Sequence, residues 1–258
     1  MADSGRWIRR LRDQSRQGKH LVSNTHALLQ RLHEESQREI IARARAQFQG
    51  PNEAFPTLVD EYEALAPRLR GRFLETFGLF TEDFELSAGS ALSLAVSAET
   101  GRFLRNMVLA QRPTRILELG SSCGVSTLYF ADALRTLGRG VVIATECDAR
   151  KCARLRAHAE AAGLDAYVDL REGDVFETVA ALDGTADMVF IDVWADAYLK
   201  LFKQIERLLR PGSVVLADNM YTAEDAVRPY KLYLDGDPRF STTTLDFESG
   251  VEFTVVVA

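Results

Sequence analysis

After Ala88, five apolar runs alternate with helical patterns, and no other feature restricts the fold of this chain as tightly. The strand-like runs are Arg115–Leu119, Val141–Thr145, Ala166–Leu170, Met188–Ile191 and Val214–Ala217. Helical spacing fills the gaps at Val125–Leu137, Ala149–Ala162, Val175–Leu182 and Ala197–Leu209. Strands that alternate with helices return in the same direction. The pattern therefore predicts an α/β fold, a parallel sheet covered on both faces and linked by right-handed crossovers. The tail departs from this rule. Ser241–Phe247 and Val251–Val257 are β-rich and joined only by Glu248-Ser249-Gly250, the spacing of an antiparallel hairpin.

Residues 1–85 have a different texture from residues 86–258 and are expected to form a helical N-terminal extension. Leu21, Leu28, Leu29, Leu32, Ile40 and Ile41 recur at helical spacing, with Ser23 or Asn24 placed as a cap. Gly50-Pro51-Asn52 should end that helix, and a second is expected from about Thr57 to Phe77, kinked at Pro67. His20, His26 and His33 are never three or four residues apart, so they read as surface residues rather than metal ligands. The apolar stripes must cover something: the acceptor side of the α/β domain, or a second subunit in a homodimer.

Composition removes several classes of function. A chain of 258 residues, 47% hydrophobic and 26% charged, can bury a full core. Its net charge of −6 disfavours a nucleic-acid partner bound through phosphates. No apolar run is long enough for a membrane span, and no signal-peptide core is visible. Cys123, Cys147 and Cys152 cannot all pair and lack metal-site spacing, which points to the reducing cytoplasm.

The stretch RILELGSSCGVST, residues 115–127, carries the strongest functional signal. Glu118 lies near the end of an apolar run. Gly120 and Gly124 follow at a spacing of four, with Ser121, Ser122 and Ser126 around them. Small residues at such a bend let backbone pass close beneath a ligand. The spacing is not the G-x-G-x-x-G of dinucleotide enzymes. An acidic residue just before the first glycine suits a positively charged ligand, which favours S-adenosylmethionine over NAD. Ligands of such sheets bind beyond the carboxyl ends of the strands. Glu146, followed by Cys147, ends the second strand, where a carboxylate can accept hydrogen bonds from ribose hydroxyls. Gly173, Asp174 and Val175 follow the third, placed to meet an adenine edge. Each of these acidic residues has a second reading as a helix cap or solvated turn.

The fourth and fifth runs end in Asp192 and in Asp218-Asn219. Adjacent strands would gather these into an all-oxygen cluster suited to Mg²⁺, or to Ca²⁺ or Mn²⁺ as substitutes. The alternative is that they cap the helices that follow.

From about Val96 onward the chain resembles the cation-dependent class I S-adenosylmethionine O-methyltransferases, the group containing the catechol and caffeoyl-coenzyme A enzymes. ELGSSCGVST is similar to the first motif of the catechol enzymes, and ADMVFIDVWADAYL to their metal strand and following loop. RPGSVVLADN is similar to the strand supplying the other metal ligands, and Ser97-Ala98-Glu99-Thr100-Gly101 to the segment that touches the methionine moiety. The resemblance implies a Rossmann-like, mostly parallel seven-stranded sheet with a C-terminal antiparallel hairpin. It also implies that Val96, Ser97 and Trp194 line the cofactor pocket, that Asp192 borders it, and that Asp192, Asp218 and Asn219 hold Mg²⁺. One position departs: the family carries a lysine, assigned as the base, where this chain has Ala195, so the catalytic residue stays unassigned. The expected activity is O-methylation of a small aromatic or natural-product hydroxyl. The alternatives are methylation of a modified tRNA uridine, a related fold with different chemistry, and a non-catalytic S-adenosylmethionine-binding protein.

Overall fold

The computed structural model describes residues 4–48, 50, 54–65, 95–246 and 249–258. Seven strands form one sheet: β1 (Arg115–Leu119), β2 (Val141–Glu146), β3 (Val168–Glu172), β4 (Met188–Ile191), β5 (Val214–Ala217), β6 (Phe240–Leu245) and β7 (Val251–Val256). Their order is β3-β2-β1-β4-β5-β7-β6. Strands β1 to β5 are parallel, and β7 inserts antiparallel between β5 and β6. This is the predicted Rossmann-like architecture with its terminal hairpin.

Side chains alternate across a strand, so a sheet covered on both faces needs apolar residues at every central position. Here Ile116, Val142, Phe190 and Leu216 face one core, and Leu117, Ile143, Val189 and Val215 face the other. The first core is covered by α3 (Ala98–Gln111), α4 (Val125–Leu137) and α5 (Ala149–Ala161). The second is covered by α6 (Val175–Ala180), α7 (Tyr198–Ile205) and α8 (Glu224–Asp235). Phe130 of α4 meets Phe190 of β4 edge-to-face with centroids 5.7 Å apart. Such a pair adds about 0.5–1.5 kcal/mol beyond its buried area.

Among the described residues, two further helices precede this unit, α1 (Ser4–Gln47) and α2 (Phe55–Ala64). Helix α1 is continuous from Ser4, so neither Ser23 nor Asn24 caps a start. Thr25, Leu28, Leu29, Leu32 and Ser36 are buried along one face, and the three leucines join the first core. His33 is not the surface residue expected from spacing. It is half-buried, with Nε2 3.0 Å from the Tyr129 hydroxyl of α4, and burial lowers its pKa. The expected continuation of the second helix through Pro67 to Phe77 lies outside the described residues, as do Pro51, Asn52 and the hairpin residues Phe247 and Glu248.

Most element bounds differ from expectation by a residue or two, and larger differences have local causes. Strand β3 starts two residues late because Asp165–Tyr167 forms a 3-10 turn, closed by Tyr167 N donating to Leu164 O at 2.9 Å. The helix expected at Ala197–Leu209 is α7 flanked by 3-10 turns at Ala195–Ala197 and Glu206–Leu208. Helix α8 was not expected from the sequence; it runs continuously with Pro229 inside it, and Val227, Tyr230 and Leu234 are buried at helical spacing.

Candidate cofactor and cation site

Register brings the predicted residues to one edge of the sheet. Leu119 pairs with Thr145 and Ile191, and Ile191 pairs with Ala217. The residues that follow, Gly120, Glu146, Asp192 and Asp218, therefore leave neighbouring strands at the same level. Val96 and Ser97 lie immediately before helix α3, and Ser97 Oγ caps that helix by accepting from Thr100 N at 3.0 Å.

The loop after β1 is built by close backbone approach. Gly120 has φ +88°, and its N–H donates to Thr145 Oγ1 at 3.2 Å. Ser121 N donates to Thr145 O at 2.9 Å, and Ser122, also left-handed at φ 47°, donates its N–H to Glu146 Oε2 at 2.9 Å. Gly124 then starts α4, with Ser126 buried in its first turn. Glu146 also accepts from Cys147 N and Asp148 N, both through Oε1 at 2.9 Å. Its carboxylate thus ties the loop after β1 to the loop after β2. A carboxylate offers about four acceptor positions, so three backbone donors leave room for a further hydroxyl.

Glu118 occupies a different environment from the one expected. It is fully buried beneath the loop and accepts from Thr127 Oγ1 at 2.5 Å, while Oε1 has no partner among the described residues. Burial, opposed by hydrogen bonds from Ser126 and Thr127, pushes its carboxyl up to about 7. A positively charged ligand nearby would favour the ionised form. Without one, this group stabilises the fold fully below its ordinary value of 4.5, and the contribution is lost as pH rises through about 7. The difference amounts to about 3 kcal/mol. Glu118→Gln is therefore expected to raise the melting temperature at pH 8 and leave it nearly unchanged at pH 4.5, as followed by calorimetry in both buffers. An equal shift at both pH values would show that Glu118 is not protonated in the folded chain.

At the third strand, Gly173 N donates to Glu146 O at 2.9 Å. Asp174 Oδ1 caps α6, accepting from Phe176 N at 2.8 Å and Glu177 N at 3.1 Å, while Val175 opens the helix. The helix-cap reading of Asp174 thus holds for one of its two oxygens.

Asp192, Asp218 and Asn219 do come together. Asn219 Nδ2 donates to Asp192 Oδ1 at 2.8 Å, and Asn219 N donates to Asp218 Oδ1 at 2.8 Å. Asn219 reaches this position through a left-handed backbone at φ 64°. Its Oδ1 accepts from Thr222 Oγ1 at 3.2 Å. Among the described residues no group of three His, Cys, Asp or Glu side chains could hold a metal, so the asparagine is needed to complete a third donor. The donor set is all oxygen and fits a hard cation; binding through Asn219 Oδ1 requires its amide to rotate and give up its bonds to Asp192 and Thr222.

Sequence reasoning missed two residues that shape this edge. Tyr198, fully buried, donates its hydroxyl toward Asp218 O at 3.1 Å and Ile191 O at 3.3 Å, bracing β4 and β5 from below. Its stripe with Leu201, Phe202 and Ile205 was readable as core, but not its polar contact. Thr145 was the other: its hydroxyl donates to Glu118 O at 3.1 Å while receiving Gly120 N. Trp194 and Ala195 follow Asp192 at the site's rim; Trp194 is 55% exposed and Ala195 half-buried. Lys200, further along the chain, holds its ammonium 4.4 Å from the centroid of the Phe176 ring.

Known proteins are similar to this chain in sequence and fold. A family described as a methyltransferase domain matches residues 117–220. A catechol O-methyltransferase from Niastella koreensis is 32% identical over 151 residues, covering 55% of this chain and 67% of that protein. The catechol O-methyltransferase of Sus scrofa is 31% identical over 172 residues, covering 64% of this chain and 89% of that protein. The crystal structure of an O-methyltransferase from Bacillus cereus, in complex with SAH, has the same fold. It superposes with a TM-score of 0.58 at 24% identity, covering 72% of this chain and 96% of that one. Among the described residues, no helix is long and apolar enough to cross a membrane.

Proposed function

The chain belongs to the class I S-adenosylmethionine-dependent O-methyltransferases of the catechol type, and from that premise we propose that it methylates a hydroxyl of a small aromatic or related natural product with the help of a divalent cation. The observation that carries the cation is the meeting of Asp192, Asp218 and Asn219 at adjacent strand ends. When bound, S-adenosylmethionine supplies an electrophilic methyl and Mg²⁺ supplies Lewis acidity that lowers the acceptor hydroxyl's pKa.

The chain's own residues position and shield these groups. Gly120 lets the loop backbone lie close under the cofactor, and Glu118 supplies negative charge beneath it. Glu146, already fixed by three backbone donors, presents a rigid acceptor to the ribose hydroxyls. Gly173, Asp174 and Val175 border the adenine, Cys147 and Trp194 flank it, and Val96 and Ser97 approach the methionine end. Asp192, Asp218 and Asn219 hold the cation. Positioning of this kind supplies much of the rate in a displacement reaction. Ala195 offers no base, so the acceptor is one whose hydroxyl is acidic enough to ionise beside the cation. Helix α1, seated on α4, supports a proposal that residues 1–85 cover the acceptor side or join two subunits of a cytoplasmic homodimer.

The pure protein, labelled S-adenosylmethionine and a panel of catechols, acidic phenols and enols, with and without EDTA, test this reading. Transfer that EDTA abolishes and Mg²⁺ restores is expected; full transfer after exhaustive chelation overturns the cation. Glu146→Ala is expected to weaken S-adenosylmethionine binding by about 1.5–3 kcal/mol, the usual worth of a hydrogen bond to a charged acceptor. Unchanged affinity in a calorimetric titration of the folded variant would remove Glu146 from the ribose site.

A further inference from the structure

The turn between β6 and β7 reaches onto the proposed cation ligands. Ser249 Oγ donates to Asp218 Oδ1, the oxygen that also accepts from Asn219 N at 2.8 Å. Backbone bonds hold the turn in place: Tyr221 N donates to Ser249 O at 2.7 Å and Met220 N to Gly250 O at 3.1 Å. Behind it, Ala217 pairs with Glu252, which fixes how far β7 carries the turn along β5. Glu252 is itself fully buried, accepts from Thr242 and Thr244 of β6, and pairs with Lys231 of α8 at 3.1 Å. Ser249 is thus delivered by the sheet and its hydrogen bonds to the loop that carries Asp218 and Asn219.

Two donors converging on one carboxylate oxygen fix the rotation of that carboxylate. A ligand held in one orientation loses less freedom when a cation binds, and hydrogen bonds from outside the ligand set also tune its basicity. We propose that Ser249 is a positioning residue for the cation site, locking the Asp218 carboxylate in its ligating orientation. The proposal rests on the cation reading above.

Titration of the full chain with Mn²⁺ alone, following free ion by electron paramagnetic resonance, separates the two ideas. Wild type is expected to bind one Mn²⁺, and Ser249→Ala to bind it about tenfold or more weakly, the usual effect of removing such a partner. Ser249→Thr, which keeps the hydroxyl, should recover most of that loss. All three should bind S-adenosylmethionine equally in the absence of metal, which confirms an intact fold. Equal Mn²⁺ affinity in wild type and Ser249→Ala overturns the positioning role and leaves the cation reading standing. Failure of Ser249→Thr to recover affinity also overturns it, because the hydroxyl would not be the group that matters. No saturable Mn²⁺ binding by wild type overturns both.

Discussion

Asp218→Ala is expected to lower kcat/KM for cation-dependent methyl transfer by about 10²–10³-fold, the several kcal/mol that a Lewis acid contributes to such a step. The substitution removes a ligand and also strands two donors, Asn219 N and Ser249 Oγ, that now share Asp218 Oδ1. Loss of the cation and collapse of the loop would both reduce activity, so Asp218→Asn is the informative partner. Its amide oxygen can still accept from both donors, but it lacks the negative charge a hard cation prefers. If charge at the cation is what matters, Asp218→Asn should lose most of the activity that Asp218→Ala loses, with S-adenosylmethionine affinity preserved in both. Preserved affinity is expected because the cofactor loop is anchored on β1 and β2, by Thr145 and Glu146, rather than on β5. Near-wild-type turnover by Asp218→Asn in Mg²⁺ would sink the cation-ligand role.

The centre of the sheet was legible because β1, β2, β4 and β5 are buried on both faces and so read as largely apolar runs with a polar residue at or just beyond the end. Glu146, Asp192 and Asp218 mark three such closures, and register makes them neighbours. Contacts that join distant segments were not legible. Ser249 touches Asp218 only because an antiparallel strand returns beside β5, and nothing in the local sequence marks a turn serine as a partner for a carboxylate. His33 was misread for the same reason, since its partner Tyr129 lies 96 residues away. Glu118 was placed correctly at the strand end, but its burial depends on helix α4 folding over it and presenting Thr127. Spacing within the N-terminal helix gave the buried face but not its start: Ser and Asn favour caps only where a helix ends, and helix α1 continues through both.

Gly120→Ala is expected to destabilise the chain by about 2–5 kcal/mol, combining a left-handed backbone penalty with overpacking. A methyl at position 120 would lie 2.2 Å from the Asp192 carbonyl oxygen and 2.9 Å from its carbonyl carbon. Both are backbone atoms at the end of β4, so no side chain can swing aside to relieve the clash. Relief requires prising β4 from β1 at the level where Asp192 N donates to Leu119 O at 2.9 Å, or rotating Asp192 away from Asn219. Either movement disturbs the cofactor loop and the proposed cation site together. Gly138 supplies the control: it is also left-handed, at φ 70°, but a methyl there meets nothing within 4 Å. Gly138→Ala should therefore show the backbone term alone, roughly 1 kcal/mol, with S-adenosylmethionine affinity unchanged. Chemical denaturation of the two variants isolates the steric part, and calorimetric titration shows whether cofactor binding is lost only at Gly120. Equal destabilisation of the two would mean that β1 and β4 can part without penalty at this edge, and that Gly120 is required for its backbone angle rather than for the closeness of the Asp192 carbonyl.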